Sequence, residues 1–173
     1  MDIKDRARKI KAVIFDVDGV LTDGKIVYGN YGDELKFFDI QDGLGVHLLK
    51  KASMYTFIIS GRFSKTTSRR AKELKVTKVF QDANDKLKIY EKLKRKFNLS
   101  DDNFCCIGDD ILDLPIIKRV GFACAVSNAQ EQVKREAHYV TSRSGGNGAV
   151  REVINIILKS QGKWEELVKK YYR

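Results

Sequence analysis

The sequence predicts an α/β fold in which a doubly wound parallel sheet is covered by helices on both faces. Three observations predict it. Short runs of β-branched and aromatic residues recur at Ala12–Phe15, Tyr55–Ile59, Lys78–Phe80, Phe104–Ile107, Phe122–Val126 and Tyr139–Thr141. Between them lie longer stretches with apolar residues at helical steps, as in Leu87, Tyr90, Leu93 and Phe97. The strand-like runs are continuously apolar, which is the pattern of strands buried on both faces. A length of 173 residues suits a single domain over 1–173.

Composition narrows the class. Hydrophobic residues make up 43% and charged residues 32%, enough apolar material for a core, so disorder and collagen-like or disulfide-stapled architectures are excluded. No apolar run reaches the roughly 18 residues that span a bilayer. The start, Met1-Asp2-Ile3-Lys4-Asp5-Arg6, carries no apolar signal stretch, so a cytoplasmic location is expected. Cys105, Cys106 and Cys124 lack metal-ligand spacing and read as small reduced core residues. The net charge of +10 favours anionic partners. It is spread along the chain, however, with no aromatic–basic interleaving, so neither nucleic acid nor a membrane is the expected partner.

Ligands of open α/β sheets collect beyond the carboxyl ends of the strands, so the residues after each strand carry the functional reading. The first strand runs into Asp16-Val17-Asp18-Gly19-Val20-Leu21-Thr22-Asp23. Two carboxylates one residue apart, after a buried strand, repel unless a cation or a proton lies between them. Next comes the one break in the alternation: Gly24–Phe38 reads as a β-hairpin about a Gly/Asn turn. Ile26, Val27, Tyr28 and Tyr31 of that hairpin are too few for a core of their own, so pairing with other copies of the chain is expected.

The second strand ends in Ser60-Gly61-Arg62, a weak anion-contact signal on its own. The third leads through Gln81–Asp85 to Lys86 at a helix start, unremarkable by itself in so basic a chain. The fourth leads to Gly108-Asp109-Asp110-Ile111-Leu112-Asp113, a second acidic cluster. Placement of acids at a helix start accounts for Asp110, but not for acidic clusters at two strand ends. Beyond the last strand, Ser144-Gly145-Gly146-Asn147-Gly148 reads as a mobile stretch, and the segment 144–173 as a flap that places Arg151 or the amphipathic tail over a site.

In this order, DVDGVLTD, SGR, a downstream lysine and GDDILD resemble the four motifs of the haloacid dehalogenase-like phosphatases, from Val13 to about Glu152. The first and last are specific in combination, the middle two only by order. The resemblance implies a Rossmann-like core, here without a cap domain and with the hairpin as its insertion. The runs at Phe38–Gly45, Gly108–Pro115 and Gly145–Glu152 resemble the branch acting on 3-deoxy-D-manno-octulosonate 8-phosphate, an eight-carbon keto-sugar acid phosphate of lipopolysaccharide inner-core synthesis. Asp82 departs from the pattern by standing where glycine is expected.

By that resemblance Asp16 is the expected nucleophile and Asp18 the acid and base. Mg²⁺ is the expected cofactor, held by the carboxylates of Asp16 and Asp109 and the backbone carbonyl of Asp18, with Asp113 reaching it through water. Ser60 and Lys86 are expected on the phosphoryl oxygens, Lys86 also as a catalytic charge, and Arg62 on the sugar acid beside an accommodating Gly61. The relatives also imply a homotetramer whose hairpins shape neighbouring sites. The motif residues handle phosphate and metal alone. Another sugar-acid phosphate, a broad small-phosphate specificity, and more remotely a non-catalytic anion binder therefore stay open.

Overall fold

The computed structural model describes residues 2–172 of the chain. It begins with α1 (Ile3–Arg8), β1 (Ala12–Phe15), β2 (Val27–Tyr28), β3 (Glu34–Leu35) and α2 (Ile40–Lys51). There follow β4 (Tyr55–Ile59), α3 (Lys65–Glu73), β5 (Lys78–Phe80), α4 (Lys86–Phe97) and β6 (Phe104–Gly108). The rest comprises α5 (Leu114–Ile117), β7 (Phe122–Ala125), α6 (Glu131–Glu136), β8 (Tyr139–Val140), α7 (Ala149–Ser160) and α8 (Trp164–Val168). Six strands form one parallel sheet in the order β5-β4-β1-β6-β7-β8, and β2 pairs antiparallel with β3 apart from it.

Strand chemistry explains this order. All residues of β1, β6 and β7 are buried, so these apolar segments occupy the middle of the sheet. Full burial of each such Ile or Phe contributes roughly 1.5–3 kcal/mol. The outermost strands, β5 and β8, are short and half-exposed, which limits pairing with other chains. Cys105, Cys106 and Cys124 are buried free thiols of this core, with the sulfurs of Cys105 and Cys124 3.9 Å apart. Among the described residues no helix is long and apolar enough to cross a membrane.

Helices on both faces aim their termini. On one face α1 and α2 pack against α7; on the other α4 and α6 flank α5. Tyr90, Leu93 and Phe97 fix α4 to the sheet: the Phe97 ring lies 4.9 Å from that of Phe57, and Tyr90 meets Phe104 edge-on at 5.1 Å. This contact sets the start of α4, and so Lys86, beside the carboxyl ends of β1 and β6.

The hairpin has two residues in each strand, with Gly29 N–H donating to Asp33 O at 2.8 Å across the turn. Ile26, Tyr28 and Tyr31 are exposed as the sequence suggests, joined by Leu35 and Phe37, while Val27 is half-buried. The hairpin is also tied to its own domain: Thr66 Oγ1 donates to Glu34 O at 2.9 Å.

The segment after Ser144 differs from a free flap over the cleft. Gly146 N–H donates to Val20 O at 2.9 Å, and Gly145 packs against the carbonyl of Gly19, so this turn backs the loop that follows β1. Arg151 points to α2, its backbone N–H on Asp42 Oδ1 at 2.7 Å and its guanidinium on Gln41 O and over the Trp164 ring. The reason is that α7 buries Val150, Val153, Ile154, Ile157 and Leu158, and this packing fixes the first turn of the helix.

Candidate active site

The strand order reverses at β1, so the carboxyl ends of β1 and β6 form the crevice where such sheets take ligands. A cleft of about 180 Å³ opens there, lined by all eight residues singled out in the sequence: Asp16, Asp18, Ser60, Gly61, Arg62, Lys86, Asp109 and Asp113. A larger groove of about 630 Å³ runs between α1 and α7, but its charged residues are exposed and converge on no common point.

The arrangement grows from the strand ends. Asp16 leaves β1 with its N–H on Ile107 O at 3.2 Å, which carries the sheet ladder one residue further and holds its carboxylate at the sheet edge. Asp113 accepts from the backbone N–H of Asp109 at 3.1 Å and of Asp110 at 3.4 Å, folding the loop after β6 back on itself. Gly19 has φ +100°, and a Cβ there would stand 2.0 Å from Asp109 Oδ2; only glycine lets the two acidic loops approach this closely. One oxygen from each of Asp16, Asp109 and Asp113 lies within 4.8 Å of the others.

Lys86 enters this acidic centre from α4, its Nζ 2.6 Å from Asp16 Oδ1 and 2.7 Å from Asp113 Oδ1, with all three side chains nearly buried. Burial alone would lower the lysine's pKa, but the two carboxylates outweigh it and raise it. Asp16 is nonetheless pushed up to about 7, by burial first and by Asp113 second, against the pull of Lys86. Asp109 is pushed up to about 8 by burial and then by Asp16 and Asp113. One ammonium among three carboxylates leaves the cluster short of positive charge. Such a site suits a hard divalent cation with oxygen ligands.

Asp82 adopts φ +52°, the left-handed conformation a glycine would take, and Ala83 N–H reaches Ser60 O at 3.0 Å. Aspartate tolerates this conformation better than most residues. Asp82 thus makes the left-handed turn expected of glycine ahead of Lys86. Gly61 is less constrained, since a Cβ would meet only Leu112 Cδ1 at 3.8 Å; its missing side chain leaves room in the cleft.

Two charged residues of the site were not singled out in the sequence. Lys36 Nζ hydrogen-bonds Asp18 Oδ1 and stands 2.8 Å from Glu34 Oε1, while Arg62 NH2 donates to Glu34 Oε2 at 2.9 Å. Burial lowers the pKa of Lys36, yet hydrogen bonds to Asp18 and Glu34 raise it overall. The signal was period two: Glu34 in β3 and Lys36 just beyond it alternate with Leu35 and Phe37, which are exposed.

Comparison with known proteins agrees with this architecture. A family model for haloacid dehalogenase-like hydrolases matches residues 49–154. The chain is 42% identical over 164 residues to the 3-deoxy-D-manno-octulosonate 8-phosphate phosphatase KdsC of Yersinia pestis, covering 95% of this chain and 88% of the relative. It superposes with TM-score 0.96 on a probable YrbI family phosphatase from Pseudomonas syringae, at 41% identity, covering 99% of this chain and 97% of that one. It superposes with TM-score 0.95 on a Moraxella catarrhalis 3-deoxy-D-manno-octulosonate 8-phosphate phosphatase in complex with magnesium ion, phosphate ion and KDO, at 40% identity and covering 98% and 97% of the two chains. On sheet order, paired acidic loops and similarity along nearly its whole length, the chain belongs to the haloacid dehalogenase-like hydrolases.

Proposed function

We propose that the chain hydrolyses 3-deoxy-D-manno-octulosonate 8-phosphate through an aspartyl-phosphate formed on Asp16. The enzyme is a phosphomonoesterase. Its substrate is read from relatives that match it over at least 95% of its length. The observation that carries the chemistry is the convergence of Asp16, Asp109 and Asp113 around Lys86 at the sheet's switch point.

In this reading Asp16 attacks phosphorus in line, and its new P–O bond forms as the bond to the sugar oxygen breaks. Asp18 gives its proton to that departing oxygen. Asp18 then takes a proton from water as the water attacks the aspartyl-phosphate, and Asp16 leaves as a carboxylate. Ser60 and Lys86 hold the equatorial phosphoryl oxygens, with Lys86 offsetting the charge that develops on them. Arg62, whose side chain is 40% exposed and borders the cleft, offers its guanidinium to the carboxylate or hydroxyls of the sugar acid. Gly61 leaves room for the substrate to approach.

Asp16 and Asp109, with the carbonyl of Asp18, would hold Mg²⁺, and Asp113 would reach it through water. When bound, the ion offsets the repulsion between carboxylate and phosphate. Burial first, and then the neighbouring carboxylates, raise the Asp16 and Asp109 pKa values, and a bound cation would relieve the second of these.

We further infer a cytoplasmic enzyme of lipopolysaccharide inner-core sugar synthesis that works as a homotetramer. Support for assembly is the exposed hairpin set, Tyr28, Tyr31, Leu35 and Phe37, beside a cleft that no cap domain covers among the described residues. Phosphate release from a panel of sugar phosphates, with Mg²⁺ and with chelator, tests the reading. Preferential turnover of the eight-carbon acid phosphate, abolished by chelator, is expected. Equal turnover of unrelated phosphates would refute the specificity, and activity undiminished by chelator would refute the metal. Light scattering tests the assembly: a fully active monomer would exclude it.

A further inference from the structure

The hairpin delivers two charged side chains to the cleft that the reaction above leaves without a task. Lys36 and Glu34 join Asp18 and Arg62 in a closed ring of alternating charge. Lys36 bonds Asp18 and Glu34, Glu34 bonds Arg62, and Arg62 NH1 returns to within 3.6 Å of Asp18 Oδ2. The Lys36 side chain is 1% exposed, so its ammonium presents no free side to a substrate. Asp18, in contrast, is held by little else: among the described residues its carboxylate meets only Lys36 and Arg62. Arg62 is itself 40% exposed and borders the open cleft.

We propose that Lys36 is a positioning residue that fixes the carboxylate of Asp18 toward the leaving oxygen. This rests on the reading of Asp18 as acid and base. Lys36 takes one oxygen of Asp18 and leaves the other facing Arg62 and the cleft. A buried ammonium is tolerated only where carboxylates compensate it, and here Glu34 supplies the second. Without Lys36 the Asp18 carboxylate keeps only the 3.6 Å approach of Arg62, and a displacement of about 1 Å at a reacting group costs on the order of 100-fold in rate. The hairpin thereby sets the geometry of proton transfer from outside the sheet. Any second copy packed on its outer face, at Tyr28, Leu35 and Phe37, would bear on the same lever.

The test compares Lys36→Met, Lys36→Arg, Glu34→Gln and Asp18→Asn with wild type, all with Mg²⁺, on 3-deoxy-D-manno-octulosonate 8-phosphate and on p-nitrophenyl phosphate in rapid-quench assays. The sugar alcohol needs a proton to leave; p-nitrophenolate does not. Lys36→Met is expected to lower kcat on the sugar phosphate about 10- to 100-fold with little change in KM. On p-nitrophenyl phosphate it should keep a fast burst of nitrophenolate followed by slow turnover, because hydrolysis of the aspartyl-phosphate still needs the base. Lys36→Arg should recover most of the loss. Asp18→Asn should show the same split more strongly. If Asp18→Asn shows it and Lys36→Met keeps wild-type rates, or loses burst and KM alike, the positioning role is wrong. If Asp18→Asn shows no split, the reading of Asp18 fails and takes the proposal with it. Should Lys36→Met not fold, Glu34→Gln decides, since it removes one anchor of Lys36: a smaller split of the same kind supports the role, and none overturns it.

Discussion

Lys86 Nζ lies 2.6 Å from Asp16 Oδ1, joining the first residue of α4 to the carboxylate that follows β1. The same ammonium reaches Asp113 Oδ1 at 2.7 Å, so one cation ties together segments that are far apart in sequence. Lys86→Met is expected to cost about 3–5 kcal/mol of stability, because it leaves two carboxylates buried without their counter-charge. It should also lower the hydrolysis rate by about 100- to 1,000-fold. Thermal melts and phosphate release check both, and a variant with wild-type stability would show that the ion pair is not structural.

Removing the metal should loosen the same centre. Saturating Mg²⁺ at about 100 times its Kd would stabilise the fold by roughly 2.7 kcal/mol. Wild-type enzyme is expected to melt several degrees lower in chelator than in Mg²⁺. Asp109→Asn should fold but show almost no Mg²⁺-dependent shift. A full shift in that variant would remove Asp109 from the metal set.

A buried acid outside the cleft sets a pH dependence. Asp42 is 1% exposed, caps α7 through Arg151 N–H at 2.7 Å, and has no partner for Oδ2 among the described residues. Burial, with Asp39 adding to it, pushes its pKa up to about 6. An unfolded aspartate titrates near ~3.9, so the neutral form is the one folding favours. That stabilisation is fully present below about pH 4 and is lost as pH rises through about 6. Asp42→Asn keeps an acceptor for Arg151 and removes the loss. It should stabilise the protein at pH 7 by roughly 1–2 kcal/mol once the favourable dipole of α7 is subtracted. Melting curves from pH 4 to 8 that superpose for variant and wild type would contradict this.

The glycine-rich turn is predicted to act as a buttress. A Cβ on Gly145 would stand 1.7 Å from Gly19 O, a backbone atom that cannot step aside without moving the loop that carries Asp18. Gly145→Ala is expected to cost about 1–3 kcal/mol and to slow turnover. Gly61→Ala meets no such obstacle and should stay within about 0.5 kcal/mol of wild-type stability while filling the cleft and raising KM. Melts and steady-state kinetics on the two variants make the comparison. An unaffected Gly145→Ala would revive a mobile segment.

The six strands were legible because Ala12–Phe15, Phe104–Gly108 and their neighbours are buried on both faces, and continuous apolar runs leave few alternatives. Asp16, Asp109 and Asp113 were legible because carboxylates directly after such strands are costly without a cation. Lys36 and Glu34 were not: two charges in a chain rich in lysine carry no signal until the hairpin turns them inward. The role of Gly145 escaped for a related reason. A glycine run reads equally as freedom to move or as close packing, and only the carbonyl of Gly19 against it decides between them.

In the proposed mechanism the phosphoryl group passes through Asp16. Acid quench of a single turnover with radiolabelled substrate, followed by peptide mapping, measures this most directly. Label is expected on the peptide carrying Asp16 and absent in Asp16→Asn, which should fold but not turn over. Rapid turnover with no labelled peptide at any quench time, together with an Asp16→Asn variant that keeps its rate, would contradict it.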